Sequence, residues 1–166
     1  HVPGFDTCVG CHSAHQLEVK VEECGACHTG VESKEDLASI RLSPAHYDGD
    51  GDTEEGIAAE VATMRDEVYQ ALPDNADEVA GAEAIIYNPA SYPYFFIDAN
   101  GNGEVDEDEA DRYNTWTPRL LQGAYNYQYA NKDPGAYAHN GKYVLQILYD
   151  TLEDLGADVS GLTRPE

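Results

Sequence analysis

Apolar side chains in the C-terminal part of the chain recur at helical spacing. Between positions 57 and 72 they fall three or four residues apart, which predicts an amphipathic helix that Pro73 ends. The stripe consists of Ile57, Val61, Met64, Val68 and Leu72. We expect Met64 to belong to the hydrophobic core, because it lies within this stripe.

Further helices are predicted at residues 76–87 and 106–115, separated by a proline-interrupted aromatic loop at residues 88–97. Thr117 followed by Pro118 is typical of a helix start and predicts a helix to about residue 131. A last helix is expected after His139 or Asn140, with Gly156 at its end. Its expected buried face comprises Tyr143, Val144, Ile147, Leu148 and Leu152.

The N-terminal region has little helical periodicity, and only residues 17–21 alternate like a short strand. We therefore expect a mainly α protein with much irregular structure. It would consist of an irregular N-terminal arm at residues 1–30, a connector at 31–47, and an acidic all-α body at 48–166. The arm is too short and irregular to bury a core of its own.

All four cysteines of the chain occur in two copies of C-x-x-C-H within the arm. This spacing is the attachment signature of c-type haem, in which both thiols form thioethers and the histidine ligates the iron. We expect two haem c groups. The thioether cysteines would be Cys8, Cys11, Cys24 and Cys27, and the proximal ligands His12 and His28.

Zinc binding, thioredoxin-like redox chemistry and two disulfides are the alternative interpretations of these cysteines. A zinc site would not need a histidine directly after each pair. A thioredoxin-like motif occurs once, near a strand-helix-strand pattern that this sequence lacks. Haem attachment therefore explains the repeated motif best.

Two haem irons have two distal axial positions to fill, and four histidines remain among the six in the chain. The candidates, in the order in which we rank them, are His15, His1, His139 and His46. His15 is too close in sequence to His12 to reach the opposite face of the same haem. It would serve the second haem or a haem of a neighbouring subunit. Histidine on both faces is typical of a low-potential electron carrier.

The chain carries 32 acidic against 9 basic residues, a formal net charge of −23. Such a surface repels nucleic acid and anionic lipid, and no run of 18 apolar residues is long enough for a membrane span. Covalent haem attachment implies export. We expect a mature chain located outside the cell or on its outer surface, with the periplasm as the alternative.

Part of the acidic charge is concentrated at residues 98–109, which match the EF-hand loop pattern D-x-[DN]-x-[DN]-G-x5-E at every specified position. Gly103 would make the sharp turn. The expected Ca²⁺ ligands are Asp98, Asn100, Asn102, Asp106, Glu109 and the backbone carbonyl of Glu104. Pro89 and Pro93 preclude a regular incoming helix, so the expected role is structural.

A second acidic loop begins at Asp48 and resembles the first half of this pattern. Ala59 occupies the twelfth position, so a closing carboxylate would have to come from Glu55 or Glu60. The ligands expected for a second Ca²⁺ are Asp48, Asp50, Asp52, Glu54 and Glu60. The alternative is that these carboxylates favour the start of a helix.

The chain resembles the secreted multihaem c-type cytochromes over most of its length. The resemblance rests on the first haem motif with His15 and residues 17–21 after it, and on four further segments. These segments are 48–52, 92–96, 116–120 and 133–140. The resemblance implies bis-histidine haems, an extracellular or outer-surface location and, in some members, assembly into haem-lined filaments.

With only two haems, long-range electron transfer would require that subunits join. We therefore expect a two-haem electron carrier that is not an enzyme and that forms the repeating subunit of a haem-chained filament through head-to-tail contacts. Its expected partners are other copies of itself and redox proteins or extracellular acceptors. The alternatives are a separate dihaem carrier or a dihaem peroxidase or reductase, which needs an open iron position.

Overall fold

The computed structural model describes residues 4–41, 43–78 and 82–166. The N-terminal arm contains two short helices, α1 (Cys8–Cys11) and α2 (Val21–Gly25), and a 3-10 helix (Glu35–Ser39) follows them. Three long helices come later: α3 (Ile57–Glu78), α4 (Pro118–Lys132) and α5 (Ala136–Leu155). The expectation of a mainly α fold is confirmed.

The hydrophobic core lies where α3, α4 and α5 pack against one another. Met64 of α3, Leu120 of α4, and Leu145 and Leu148 of α5 are completely buried. Gly123 lets α4 approach closely, because a Cβ there would meet side-chain carbons of Leu155 and of α3 at 3.1 Å. Met64 is therefore a core residue, as its place in the apolar stripe predicts.

The prediction that Pro73 ends the first long helix is wrong, because α3 continues to Glu78. Proline removes one backbone hydrogen bond, but the turn after it is anchored in the core. Ala76 is fully buried, and Asn75 donates from Nδ2 to the carbonyl of Leu155 at 3.2 Å. Tertiary packing thus outweighs the local cost of the proline.

The body also contains an antiparallel hairpin of β1 (Ile85–Tyr87) and β2 (Phe95–Ile97). The predicted helix over residues 76–87 is therefore wrong from Ala82 on, whereas residues 79–81, including Val79, lie outside the described residues. β-branched and aromatic side chains favour strands, and both strands bury such residues against the core. The aromatic segment 88–97 is a loop only up to β2.

The predicted helix at residues 106–115 is also wrong. Residues 111–113 instead run alongside β2, where the Ile97 N–H donates to the Asp111 carbonyl and the Tyr113 N–H to the Phe95 carbonyl, at 2.8 and 3.1 Å. The acidic segment before them is therefore the connection between two paired segments. Together with the hairpin, this pairing means that the body is not entirely helical.

The predictions for α4 and for the end of α5 are confirmed. Thr117 Oγ1 caps α4 by accepting from the Leu120 N–H at 3.1 Å, and Gly156 ends α5 with φ of +93°. α5 begins earlier than predicted, at Ala136, and is kinked at Asn140. Tyr143 was expected to be buried, but its side chain is half exposed.

Among the described residues, no helix combines the length and the apolar composition needed to cross a lipid bilayer.

Candidate haem and cation sites

The two C-x-x-C-H motifs adopt the same local conformation. In the first, the His12 N–H donates to the Cys8 carbonyl at 2.8 Å; in the second, the His28 N–H donates to the Cys24 carbonyl at 2.9 Å. Each motif thus forms one helical turn, so that its two cysteines and its histidine lie close together. The four cysteines form no disulfide among the described residues, so all four thiols are available for thioether bonds.

A tight loop joins the two motifs. His12 forms an antiparallel bridge with Val19, and the Lys20 N–H donates to the Cys11 carbonyl at 2.8 Å. The sequence predicts a short strand at residues 17–21, but this single bridge is the only strand pairing that the structure forms there. The two motifs therefore lie side by side. Burial raises the pKa of the Cys24 thiol, and the nearby Cys11 raises it further.

The imidazole of His12 is held in one orientation by its Nδ1 atom, which lies 2.8 Å from the Leu17 carbonyl oxygen. A carbonyl only accepts, so Nδ1 carries the proton and Nε2 keeps its lone pair. Leu17 has a φ of +59°, a strained conformation for a residue with a side chain. The strained residue is thus the one whose carbonyl fixes the imidazole. A hydrogen bond of this kind to the second ring nitrogen is the usual support of a metal-ligating histidine.

The ring of His139 lies near that of His12, with the two ring centres 6.4 Å apart and the ring planes tilted by 50°. Metal–imidazole bonds are about 2 Å long, so imidazoles on opposite faces of one metal have ring centres about 6 Å apart. His139 Nδ1 lies 3.3 Å from Asp133 Oδ2. This carboxylate holds the proton on Nδ1 and leaves Nε2 as the free donor atom, as the Leu17 carbonyl does for His12.

Sequence reasoning ranked His139 third and missed Asp133. The available signal was the Asp133-Pro-Gly segment before α5, where Asp133 Oδ1 also accepts from the Gly135 N–H at 2.8 Å. A Cβ on Gly135 would lie 2.5 Å from the His139 ring. Glycine is therefore needed here for the ring to occupy this place.

The other candidate distal histidines are not paired in this way. His15 is exposed on the turn after the first motif, and His28 is also exposed. His46 lies in the acidic loop and accepts from the Gly51 N–H at Nε2, at 2.9 Å. His1 lies outside the described residues. The structure therefore brings His139 to the first motif, while His15, ranked first for the second haem or for a haem of a neighbouring subunit, lies on an exposed turn.

The loop at residues 98–109 wraps around the carboxylate of Asp98. Its Oδ1 accepts from the Gly101 N–H at 2.7 Å and its Oδ2 from the Gly103 N–H at 2.8 Å. Glu109 closes the loop, because its two oxygens accept from the N–H groups of Ala99 and Asp106 at 2.9 and 3.3 Å. The residues expected as Ca²⁺ ligands are therefore gathered in one loop.

The side-chain amides of Asn100 and Asn102 both donate to Asp106 Oδ2, at 2.7 and 2.9 Å. Glu104 donates its N–H to Asn102 Oδ1 at 2.7 Å. These contacts hold the loop's carboxylate and amide groups together with hydrogen bonds made within the loop itself. Carboxylate and amide oxygens are the ligands that Ca²⁺ prefers, so the donor set fits this ion.

The second acidic loop has a different arrangement from the one expected. Asp52 Oδ1 accepts from the N–H groups of Glu54 and Glu55 at 2.8 and 3.2 Å. Glu60, the expected closing carboxylate, is buried and accepts from Arg41 and from the Tyr47 N–H at 3.3 and 3.1 Å. Burial raises the pKa of Glu60, against the opposing effects of the Tyr47 N–H and Arg41.

Glu55 takes the place expected for Glu60. Its carboxylate lies with His46, Asp48 and Asp50, and one ligand atom from each of the four lies within 4.8 Å of the others. Burial, followed by the charges of Asp48, Asp50 and Glu60, raises the pKa of Glu55 to about 7. Within the described residues, this is where metal-ligating side chains converge, and the four cysteines form no such group.

Paired C-x-x-C-H turns, one with a second imidazole near its histidine, are features of a multihaem c-type cytochrome. Comparison with known proteins confirms the predicted resemblance to this class. No family model matches the chain, and no solved structure gives a significant match.

The "C-type polyheme cytochrome OmcB" of Geobacter sulfurreducens is 27% identical over 170 aligned positions, which cover 91% of this chain and 21% of OmcB. The "C-type polyheme cytochrome OmcC" of the same species is 27% identical over 168 positions, covering 91% of this chain and 20% of OmcC. The chain thus spans about a fifth of the length of the relatives that it matches.

Proposed function

We propose that this chain is a two-haem c-type cytochrome that carries electrons outside the cytoplasm. The observation that carries the proposal is the neighbouring pair of imidazoles, His12 and His139, beside the first motif. Their ring centres are 6.4 Å apart, and each Nδ1 is engaged by an oxygen acceptor. Similarity to polyheme cytochromes over most of the chain supports the same function.

In this proposal, Cys8 and Cys11 hold the first haem covalently, and His12 and His139 ligate its iron. The haem supplies an iron that changes oxidation state by one electron. With imidazoles on both faces, no position stays open for peroxide or another substrate. The pairing therefore favours an electron carrier over a dihaem peroxidase or reductase.

The second haem would be held by Cys24, Cys27 and His28. Its distal ligand would come from His15, from His1 or from a neighbouring copy. His139 is not available for the second iron, because it is already assigned to the first. We retain the division into a haem arm at residues 1–30, a connector at 31–47 and an acidic body at 48–166. The body would hold His139 in place for the arm.

Head-to-tail assembly into a haem-chained filament is the extended form of this function. Three tyrosines, Tyr125, Tyr129 and Tyr143, form an exposed surface between α4 and α5. In the arm, Val9 and Leu17 are also largely exposed. Aromatic and apolar groups of this kind are suited to contacts between copies, and an asymmetric contact that does not close forms a filament.

The loop at residues 98–109 would hold one Ca²⁺ as a structural brace. It connects β2 to residues 111–113, so an ion there would stabilise this edge of the body. Measured with and without chelator, the melting temperature should fall on Ca²⁺ removal. In Glu109→Gln this fall should be smaller, and an unchanged fall in that variant would contradict the assignment.

The haem assignment is tested with the full chain, produced with a cytochrome c maturation system. We expect two haems per chain by the pyridine haemochrome assay and low-spin ferric spectra for both. In His139→Gly, one of the two haems should become high-spin and its reduction potential should shift, because the axial ligand sets both properties.

Lys142→Gly, at an exposed position of the same helix, is the matched control and should leave both spectra and both potentials unchanged. Two low-spin haems in His139→Gly would contradict the assignment of His139, and haem-free protein would contradict the function as a whole. Assembly is tested separately by electron microscopy. Monomers alone, at high concentration and with calcium, would exclude the filament and leave a separate carrier.

A further inference from the structure

Four side chains at the start of the body form what we call the His46 cluster: His46, Asp48, Asp50 and Glu55. One donor atom from each lies within 4.8 Å of the others. The cluster lies just before α3 and is independent of the haem motifs. An ion held there would be separate from the loop at residues 98–109.

Buried oxygens of this cluster have no hydrogen-bond partner in the part of the chain that the structure describes. Asp48 is 2% exposed, yet its Oδ2 atom accepts no hydrogen bond, and the buried Oε1 atom of Glu55 accepts none. Buried polar atoms are almost always partnered, because an unpaired one costs free energy. The buried carboxylate of Glu60 nearby follows that rule, since both of its oxygens accept hydrogen bonds.

Among the described residues, no lysine or arginine forms an ion pair with the carboxylates of the cluster. The guanidinium of Arg41 is directed to Glu60 and to the carbonyls of Ser43, Ala45 and Glu55. Three carboxylates at this spacing repel one another strongly. The cluster needs either a proton shared between Asp48 and Glu55 or a cation bound by them.

The tautomer of His46 determines which cation fits. Its Nε2 accepts from the Gly51 N–H at 2.9 Å, so the proton of the neutral ring is on Nδ1. Nδ1 lies 3.5 Å from Asp48 Oδ1. A protonated Nδ1 cannot bind a metal and makes no hydrogen bond with the described residues, and His46 instead holds the turn of the loop through the Gly51 N–H.

We propose that Asp48, Asp50 and Glu55 bind a divalent cation of the Ca²⁺ class through oxygen atoms, with His46 as a positioning residue. Ca²⁺ takes six to eight oxygen ligands, and water can complete the set. Asp50 is exposed, so water has access to that side of the cluster. This assignment replaces Glu60, Asp52 and Glu54 of the sequence expectation with Glu55.

Cation binding here would fasten the loop to both ends of the body. Gly49 approaches Gly161 so closely that a Cβ would lie 2.6 Å from the Gly161 carbonyl oxygen. The Thr163 N–H donates to the Tyr47 carbonyl at 2.9 Å. A bound ion therefore links the start of α3 to the C-terminal segment.

The test is a calorimetric titration of the haem-loaded, chelator-stripped full chain with CaCl₂. It uses a Glu109→Gln background, which weakens the other acidic loop. The background should bind one Ca²⁺. Adding Glu55→Gln or Asp48→Asn should each weaken the affinity by about tenfold or more, since Ca²⁺ affinity depends on ligand charge and number.

Glu54→Gln is the matched control, because it removes the same charge from the adjacent, exposed glutamate. It should change the affinity by about twofold or less, through long-range charge alone. Circular dichroism of each variant confirms folding, and Glu55→Gln decides the outcome if Asp48→Asn does not fold.

Three results would overturn the proposal. Absence of Ca²⁺ binding in the background would leave the shared proton as the explanation. An equal loss in Glu54→Gln would show a diffuse charge effect. Zn²⁺ binding that is tighter than Ca²⁺ binding and is lost in His46→Gln would make His46 a ligand and exclude the oxygen-only site.

Discussion

The two acidic loops of the body satisfy their carboxylates in different ways. In the loop at residues 98–109, Asp98 and Glu109 accept from backbone N–H groups of the same loop. In the His46 cluster, buried carboxylate oxygens of Asp48 and Glu55 accept no hydrogen bond from the described residues. The first loop matches a sequence pattern at every specified position, and the second matches only half of it.

The difference shows that a loop can match a calcium-binding sequence pattern without needing an ion to satisfy its carboxylates. Another loop can match the pattern poorly and still contain carboxylates that need one. The loop at residues 98–109 is largely exposed and folded by its own hydrogen bonds, so an ion there adds to an arrangement that is already satisfied. The His46 cluster is pressed between α3 and the C-terminal segment. Its unpaired oxygens therefore depend on a bound species for their stability.

Replacing Glu60, which is buried beside the His46 cluster, and Glu109, which closes the loop at residues 98–109, should give the largest contrast. Glu60→Ala should lower the free energy of unfolding by about 3 kcal/mol, because it leaves Arg41 and the Tyr47 N–H without their buried partner. Glu109→Ala should cost about 1 kcal/mol, since it removes two hydrogen bonds from a partly exposed loop. Urea unfolding in chelator measures both.

Glu54→Ala controls for the loss of one negative charge and should stay within about 0.5 kcal/mol of the parent. Equal costs for Glu60→Ala and Glu109→Ala would mean that Glu60 belongs to a loop and not to the core. In that case the closing role that the sequence assigned to Glu60 would be restored.

Glycine substitutions should separate the two loops by a smaller amount. Gly49 and Gly101 have similar positive φ values, +77° and +70°, but only Gly49 faces another backbone segment at a distance that excludes a Cβ. Gly49→Ala should cost about 2–3 kcal/mol, and Gly101→Ala about 1 kcal/mol for its φ alone. Similar unfolding free energies for the two variants would contradict the packing of Gly49 on Gly161.

Much of the helical body could be predicted from local sequence signals. The apolar stripe of α3, the Thr117-Pro118 start of α4 and the Gly156 stop of α5 depend on neighbours along the chain. The continuation of α3 past Pro73 and the strand at Ile85–Tyr87 do not. They depend on burial against α5 and on pairing with β2, which no local window contains.

The candidate sites likewise combine features that local spacing predicts with features that depend on tertiary contacts. The spacing of Cys8, Cys11 and His12 is enough to predict haem attachment. The pairing of His12 with His139 requires that α5 reach the arm, and the ranking from the sequence missed it. Likewise, spacing left Glu55 and Glu60 as alternative closing carboxylates, and the expected ligand was Glu60. The contact between Glu60 and Arg41 instead leaves Glu55 beside Asp48.

The pH dependence of stability should give the smallest contrast. Burial and then the charges of Asp48, Asp50 and Glu60 raise the pKa of Glu55 from 4.5 to about 7 in the metal-free protein. As pH rises from about 4.5 to 7, the unfolded chain loses this proton while the folded chain keeps it. The free energy of unfolding should therefore fall across that window and be level above it.

We expect a fall of about 1–2 kcal/mol after allowance for solvent screening of a partly exposed group. Urea unfolding in chelator at several pH values measures it. Glu55→Gln should remove most of the fall, while the raised pKa of Glu60 leaves a smaller one in the same direction. Glu54→Gln should keep the parent's dependence. If Glu55→Gln keeps it as well, the carboxylate of Glu55 does not share a buried site with Asp48, and the contrast between the two loops is lost.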